Sequence, residues 1–275
     1  MNQEKWIDLH THSTFSDGNR TPADLVDIAV RKGLSALALA DHDCLDGFEP
    51  LRAAAERAGL EVITAVELSS EHSGRDLHIL GYGVDPDNES LRSALQEFID
   101  TRERRGIKIV EKLRELGVNL DMDSIFAKAG DGALGRPHIA EALVEGGYAS
   151  DFPDAFAKYI GEDCPAYVHK YKISPLDAIA HVHRAGGLAF VAHPGYYLED
   201  IDVFHGLLDQ GFDGVEVHHP HHKNGVVDRL LGIAKSRSLL VSGGSDFHGF
   251  AGRDNMGEPK VPYRILQEIK DRLSV

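Results

Sequence analysis

Short apolar runs alternate with amphipathic stretches along most of this chain. Strand-like runs begin near Trp6, Ser35, Glu61, Asp76, Leu188, Asp213 and Ser238. The first three and the last three each recur at steps of about 25–30 residues, the length of a strand, a helix and two turns. Helix-like segments fill the intervals. Thr21–Lys32 turns Leu25, Ile28 and Ala29 to one face and carries Pro22 where a first turn tolerates it. Gly47–Ala58 follows the second run. Ser174–Ala185 opens on Ser174-Pro175 and stops at Gly186-Gly187. Asn224–Arg237 and Tyr263–Leu273 complete the series. The recurrence predicts an α/β fold on a parallel sheet or barrel.

The rhythm breaks between residues 76 and 188, where most of the chain reads as helical. Leu91–Leu116 predicts one long helix or two, and Ile139–Val144 and Ala155–Ile160 shorter ones. Residues 90–165 are therefore expected to form a helical insertion near the rim of a barrel made by 1–89 and 166–275. At 275 residues the chain can build such a domain and its insertion. Its apolar runs, such as Leu34–Ala40 with Ser35 inside it, fall far short of a membrane span. The N-terminus lacks the basic, apolar and small-residue series of a signal peptide. Two cysteines, Cys44 and Cys164, offer no disulfide framework. A cytoplasmic protein without membrane partners is the expectation.

Charge narrows the partners. With 44 acidic and 29 basic residues the formal charge is −15, so long nucleic-acid duplexes are repelled. One phosphate ester entering a metal-filled pocket is not, because bound cations reverse the local sign.

The candidate chemistry sits at the ends of the strand-like runs. His10 and His12, two apart on an extended segment, point to the same side and can reach one ion. Ser16-Asp17-Gly18 is a turn able to bring a carboxylate back over them. Asp41 and Asp43 flank His42 after a run that reads as buried on both faces; either acid could bind metal or orient the imidazole, and a turn carboxylate is the simpler reading of Asp43. Glu67 closes Val62–Val66, and a carboxylate there can bridge two ions. His78, between Leu77 and Ile79, reads by itself as a core histidine. His193-Pro194-Gly195 and Asp246-Phe247-His248 directly follow apolar runs, the second repeating the spacing of the first pair. Imidazoles and carboxylates gathered at one rim suit several divalent ions. In the insertion, Gly135-Arg136-Pro137-His138 precedes a helix, where Arg136 can grip a phosphate. Lys170 and Tyr171 are further phosphate candidates. The run His218-His219-Pro220-His221-His222 could supply a ligand, a general acid or a solvated loop. No phosphate loop, dinucleotide fingerprint or Gly-x-Ser-x-Gly elbow occurs.

The set His10-Thr11-His12, Asp17-Gly18, Asp41-His42, Glu67, His78, His193-Pro194 and Asp246-Phe247-His248 resembles the polymerase and histidinol phosphatase (PHP) family. The resemblance implies a distorted (β/α)7 barrel, in agreement with seven strand starts, and two or three divalent ions. His10, His12, Glu67 and Asp246 would hold the first; Glu67, His78 and His193 the second; Asp17, His42 and His248 the third. Mn²⁺ is expected, with Fe²⁺ or Zn²⁺ also suited to such ligands. The insertion and the segment Glu216…Pro220…His222 resemble the branch of nucleotide 3′,5′-bisphosphate phosphatases and 5′→3′ exoribonucleases. The substrate expected is thus a nucleotide or short oligonucleotide, contacted by Arg136, His138, Lys170, Tyr171 and His219. Arg136 would stabilise phosphoryl charge, and His222 or a metal-bound water would protonate the leaving group. Histidinol phosphate hydrolysis, C–N hydrolysis and a non-catalytic metal-binding or polymerase-associated module are the alternatives.

Overall fold

The computed structural model describes residues 4–129, 134–250 and 254–274. In chain order the elements are β1 (Trp6–Thr11), α1 (Pro22–Arg31), β2 (Leu34–Leu39), α2 (Phe48–Ala58), β3 (Glu61–His72), β4 (Arg75–Tyr82), α3 (Glu89–Glu115), α4 (Met122–Ala129), α5 (Arg136–Glu145) and α6 (Phe152–Ala155). A π-helical turn (Phe156–Ile160) follows, then α7 (Pro175–Arg184), β5 (Leu188–Val191), a 3₁₀ segment (Pro194–Glu199), α8 (Ile201–Leu208), β6 (Gly214–His218), α9 (Asn224–Arg237), β7 (Leu240–Gly243), β8 (Val261–Pro262) and α10 (Arg264–Leu273). The chain divides into two compact units, Met1–Leu95 with Lys172–Val275, and Gln96–Tyr171.

The first unit is built on an eight-stranded sheet in the order β7-β6-β5-β4-β3-β2-β1-β8. It is nearly closed: Thr11 and Phe247 form a parallel bridge, and the His12 N–H donates to the Phe247 carbonyl at 2.9 Å. Pairing is parallel from β1 through β3 and from β5 through β7. Here the expectation of a parallel sheet needs correction, because β4 runs antiparallel to both β3 and β5. β3 also continues past Glu67 to His72 and turns into β4 through Ser73 and Gly74. Both have positive φ (53° and 73°), as a tight two-residue hairpin of this hand requires. Glu67 and His78 are therefore mid-strand residues of a hairpin rather than ends of parallel strands. The two-residue β8, antiparallel to β1, is a further departure.

Local chemistry explains the helices. Thr21 and Asp24 form a capping box at α1, with Pro22 in the first turn and Leu25, Val26 and Ala29 buried. Ser174 caps α7 ahead of Pro175, its side chain accepting from the Asp177 N–H. One apolar cluster packs Leu25, Ala29, Leu51 and Ala55 of α1 and α2 against Leu37 and Leu39 of β2. Another gathers Ile7, Leu9, Ala36, Ala38, Tyr82 and Phe190 with Ile265, Leu266 and Ile269 of α10. Burial on both sides is why these strands read as continuous apolar runs. The second unit has its own core, including Ile109, Leu113, Ile125, Ile139, Leu143, Ile160 and Ala166. Among the described residues no helix is long and apolar enough to cross a membrane.

Candidate metal centre

Strand geometry brings β3, β4 and the segments after β2, β5, β6 and β7 to one cavity of about 510 Å³. Its lining includes His42, Glu67, His78, His193, His219, Asp246 and His248. Glu67 is its centre. Oε1 lies 3.0 Å from His78 Nδ1 and 3.1 Å from His193 Nε2. Oε2 lies 3.2 Å from His10 Nε2, 3.3 Å from His12 Nε2 and 3.1 Å from His42 Nδ1. Each oxygen of one buried carboxylate thus faces its own set of imidazoles.

Three overlapping groups have the compactness of a metal site: His10, His12, Glu67 and Asp246; His42, Glu67 and His78; and His12, Asp17, His42 and His248. The first matches the ion expected from the resemblance. The third contains its expected members and adds His12, which faces both groups. The second takes His42 beside Glu67 and His78, and His193 meets it through Glu67 Oε1. Asp41 and Asp43 are outside these groups. Asp41 accepts from the backbone and hydroxyl of Ser13 (both 2.7 Å) and the hydroxyl of Ser16 (2.6 Å), fixing the turn that carries Asp17. Asp43 accepts from the Ser69 backbone at 2.7 Å and hydroxyl at 2.8 Å, tying β3 in place.

The donor atoms fit divalent ions. Nε2 of His10, both ring nitrogens of His12, Nδ1 of His42 and Oε2 of Glu67 are buried without a hydrogen-bond partner. Such atoms are costly unless something satisfies them. Nε2 of His10, Nε2 of His12 and Nδ1 of His42 converge on Glu67 Oε2 at 3.1–3.3 Å, and among the described residues no lysine or arginine lines the cavity. Mixed nitrogen and oxygen donors around a shared carboxylate can coordinate several divalent ions.

Electrostatics agree. Burial alone would raise the Glu67 carboxyl, but His42, His10 and His78 hold it well below the usual carboxylate range. Asp246 is likewise held low, against its burial, by His10, His12 and His219. Burial would depress His10, yet Glu216, Glu67 and Asp246 raise it well above an ordinary imidazole. His248 is raised to about 9, its burial outweighed by Asp17 and Asp246. Burial pushes His42 down to about 3. Without a cation, protons on imidazoles balance the ionised carboxylates; a bound cation would displace them.

Residues beyond the ligands hold this arrangement. Glu216 of β6 accepts from His10 Nδ1 at 2.9 Å, leaving Nε2 for an ion, and from the His193 backbone at 2.7 Å. Asp8 accepts from the backbone of Ser245 (2.9 Å) and Gly257 (2.7 Å), securing the segment that bears Asp246. His193 and Asp246 have positive φ (27° and 52°), a strained backbone that these bonds over-determine. Gly244 approaches β1 so closely that a Cβ would lie 2.4 Å from the His10 nitrogen. Sequence reasoning assigned no role to Asp8 or to the Glu216–His10 contact. The signal was there: each is one charged residue within a buried apolar run, Trp6–Leu9 and Gly214–Val217.

The other expected site residues divide. His219 is buried with Nε2 3.6 Å from Asp246 and without a hydrogen-bond partner, while Nδ1 accepts from the His221 backbone at 3.3 Å. His222 has both ring nitrogens engaged: Nδ1 donates to the Val217 carbonyl at 2.9 Å and Nε2 accepts from the Gly195 N–H at 3.0 Å. Arg136, His138, Lys170 and Tyr171 belong to the second unit. The Arg136 guanidinium lies over the rings of Phe156 (5.4 Å) and Tyr167 (5.8 Å) and donates to the Ile160 carbonyl at 3.4 Å. His138 Nδ1 accepts from the Gly135 N–H at 3.1 Å, and Tyr171 stands edge-on to Phe98.

A nearly closed barrel-like sheet carries clustered histidines and carboxylates that could hold divalent ions. The chain belongs to the PHP family: the model of the PHP domain matches residues 8–159. It is related to the nucleotide bisphosphate phosphatase and 5′-3′ exoribonuclease branch of that family. It is 36% identical over 258 residues to a 5′-3′ exoribonuclease of Haemophilus influenzae, covering 92% of this chain and 94% of the relative. It is 35% identical to a 3′,5′-nucleoside bisphosphate phosphatase of Chromobacterium violaceum, covering 97% of each. A solved structure from Bifidobacterium adolescentis, provisionally described as a metal-dependent phosphoesterase, superimposes with a TM-score of 0.87 at 33% identity, covering 98% of this chain and 96% of that one. Ligand groups and family fold together support metal-dependent phosphoesterase activity.

Proposed function

We propose that this chain hydrolyses a phosphate ester of a nucleotide, either a 3′,5′-bisphosphate nucleotide or the 5′ end of a short oligoribonucleotide, with Mn²⁺ as the resident ion. The observation that carries the reading is Glu67, whose two oxygens face separate imidazole sets 3.0–3.3 Å away and so suit two adjacent ions. Divalent ions held by Glu67 and the imidazoles around it would supply an activated water and charge neutralisation for the phosphoryl oxygens.

The chain's own part is to hold the ligands, orient the ester and deliver a proton. Glu216 presents Nε2 of His10 inward, and Asp8 and Asp41 brace the segments on either side. We infer that the proton for the leaving oxygen comes from His219 rather than His222. His219 Nδ1 is occupied as an acceptor, so the neutral ring carries its proton on Nε2, which faces Asp246 and the cavity. His222 instead ties the β6 loop to Gly195 with both nitrogens. Arg136 remains the proposed guanidinium for a substrate phosphate, with His138, Lys170 and Tyr171 as its proposed neighbours in binding.

The decisive experiment is phosphate release from 3′-phosphoadenosine 5′-phosphate by Mn²⁺-loaded protein, with a chelated control. Rapid metal-dependent release is expected. Full metal loading without release from this substrate or from a 5′-phosphorylated oligoribonucleotide would defeat the proposal.

A further inference from the structure

One wall of the metal cavity has no part in holding ions. Tyr196 follows His193 by three residues on the 3₁₀ segment, and among the described lining residues it is the one phenyl ring. The residue is 40% exposed. Its hydroxyl donates to the Asp76 carbonyl, so the polar tip is already satisfied away from the ligands. The ring packs on Tyr197, centroids 4.6 Å apart, and the fully buried Tyr197 in turn stacks on Phe204 at 6.3 Å. The preceding residue is also tied, because the Gly195 N–H donates to His222. Tyr196 is thus a part-exposed ring on the cavity wall, held at its hydroxyl and packed on Tyr197, beside the site that would hold a phosphate. Val226 lines the same cavity and adds an apolar edge.

A fixed aromatic face suits a flat aromatic group, because stacking is gained there at little further cost in side-chain entropy. In a nucleotide that group is the base, which lies one sugar away from the phosphate. We propose that Tyr196 is the stacking platform for the substrate's nucleobase, so that the site favours base-bearing phosphate esters whatever the identity of the base. This rests on the nucleotide reading given above. Stacking, unlike hydrogen bonding to base edges, tolerates any base because every base has a π-face.

The test compares adenosine 3′,5′-bisphosphate with its abasic analogue, in which hydrogen replaces the base, using Mn²⁺-loaded wild type, Tyr196→Ala, Tyr196→Leu and Tyr196→Phe. Wild type should prefer the base-bearing ester. Tyr196→Ala and Tyr196→Leu should each raise KM for it by about five- to a hundredfold, the range of one base–aromatic stack, with kcat little changed. The abasic ester should stay within about twofold in every variant, and Tyr196→Phe should keep wild-type KM because the ring is retained. Equal losses on both esters, or no loss on either, would overturn the platform while leaving phosphoesterase activity intact. Wild type that hydrolyses the two esters equally well would do the same. Wild type that hydrolyses neither would remove the bisphosphate-nucleotide reading, and the platform with it.

Discussion

Glu216 accepts a hydrogen bond from Nδ1 of His10 at 2.9 Å while its second oxygen holds the backbone of His193 at 2.7 Å. One wholly buried carboxylate of β6 therefore sets the tautomer of a β1 imidazole and steadies a strained ligand backbone. Outer partners of this kind typically tune metal affinity by about 10–100-fold. Glu216→Ala should weaken Mn²⁺ binding by that amount in a competition titration against a chelator. Unchanged affinity would show that His10 needs no orienting partner.

Glu67 faces five imidazoles with its two oxygens, so its loss should empty more than one ion position. Glu67→Ala should lower bound metal per chain and reduce turnover by at least about a hundredfold, since metal stabilisation of a phosphoryl transition state is worth several kcal/mol and each 1.36 kcal/mol is tenfold in rate. Metal analysis and phosphate release on the same preparation check both. Full metal content would contradict the shared-carboxylate geometry.

Metal binding should also appear as stability. Ions that bind the folded chain and not the unfolded one raise the thermal midpoint with concentration. Adding Mn²⁺ to chelated protein should raise Tm, and the rise should shrink in Glu67→Ala. A Tm insensitive to Mn²⁺ would argue against ligand groups that are preformed in the fold.

In metal-free protein the pH dependence has a definite sign. The folded pKa of His248 is raised to about 9 by Asp17 and Asp246 against its burial, compared with about 6.5 for an unperturbed imidazole. Its contribution is therefore complete below pH about 6.5 and is lost as pH rises through about 9. The stability difference between metal-free wild type and His248→Asn should be largest near pH 6 and fade by pH 9.5. His42, pushed down to about 3 by burial, acts in the opposite sense and costs stability as pH falls from about 6.5 toward 3. Denaturant titrations across this range measure both; a flat difference for His248→Asn would refute the Asp17–His248 pairing.

His219 and His222 should separate cleanly. His219→Asn should slow hydrolysis of a nucleotide ester by about 10²–10⁴-fold, the usual range for general acid–base groups. It should slow p-nitrophenyl phosphate far less, because that leaving group needs no proton. His222→Asn should chiefly lower Tm, since it loses the bonds to Val217 and Gly195. The reverse pattern would return the acid role to His222.

Much of the barrel unit was legible because its strands are buried on both faces. Val62–Val66, Leu188–Ala192 and Gly214–Val217 stand out as apolar runs, and the residues after them announced the site. The β3–β4 hairpin was harder to see. Beyond Glu67 the strand reads Leu68-Ser69-Ser70-Glu71-His72, which resembles a loop until Asp43 is found binding Ser69 and the Ile173 carbonyl accepting from the Ser70 hydroxyl. These partners are remote in sequence, so no local pattern carries them. β8 is too short for any periodicity.

The chain's own order of residues determined where the strands and helices begin, which side chains could bind metal, and the family, because these depend on local periodicity and residue chemistry. Tertiary structure decided how the ligands are shared. Only the fold shows Glu67 between two imidazole sets, His12 facing two groups, Glu216 behind His10, and His219 with Nε2 open where both nitrogens of His222 are engaged. Each is a relation between atoms on different strands, set by sheet closure and register, and such distances are not written in any one segment.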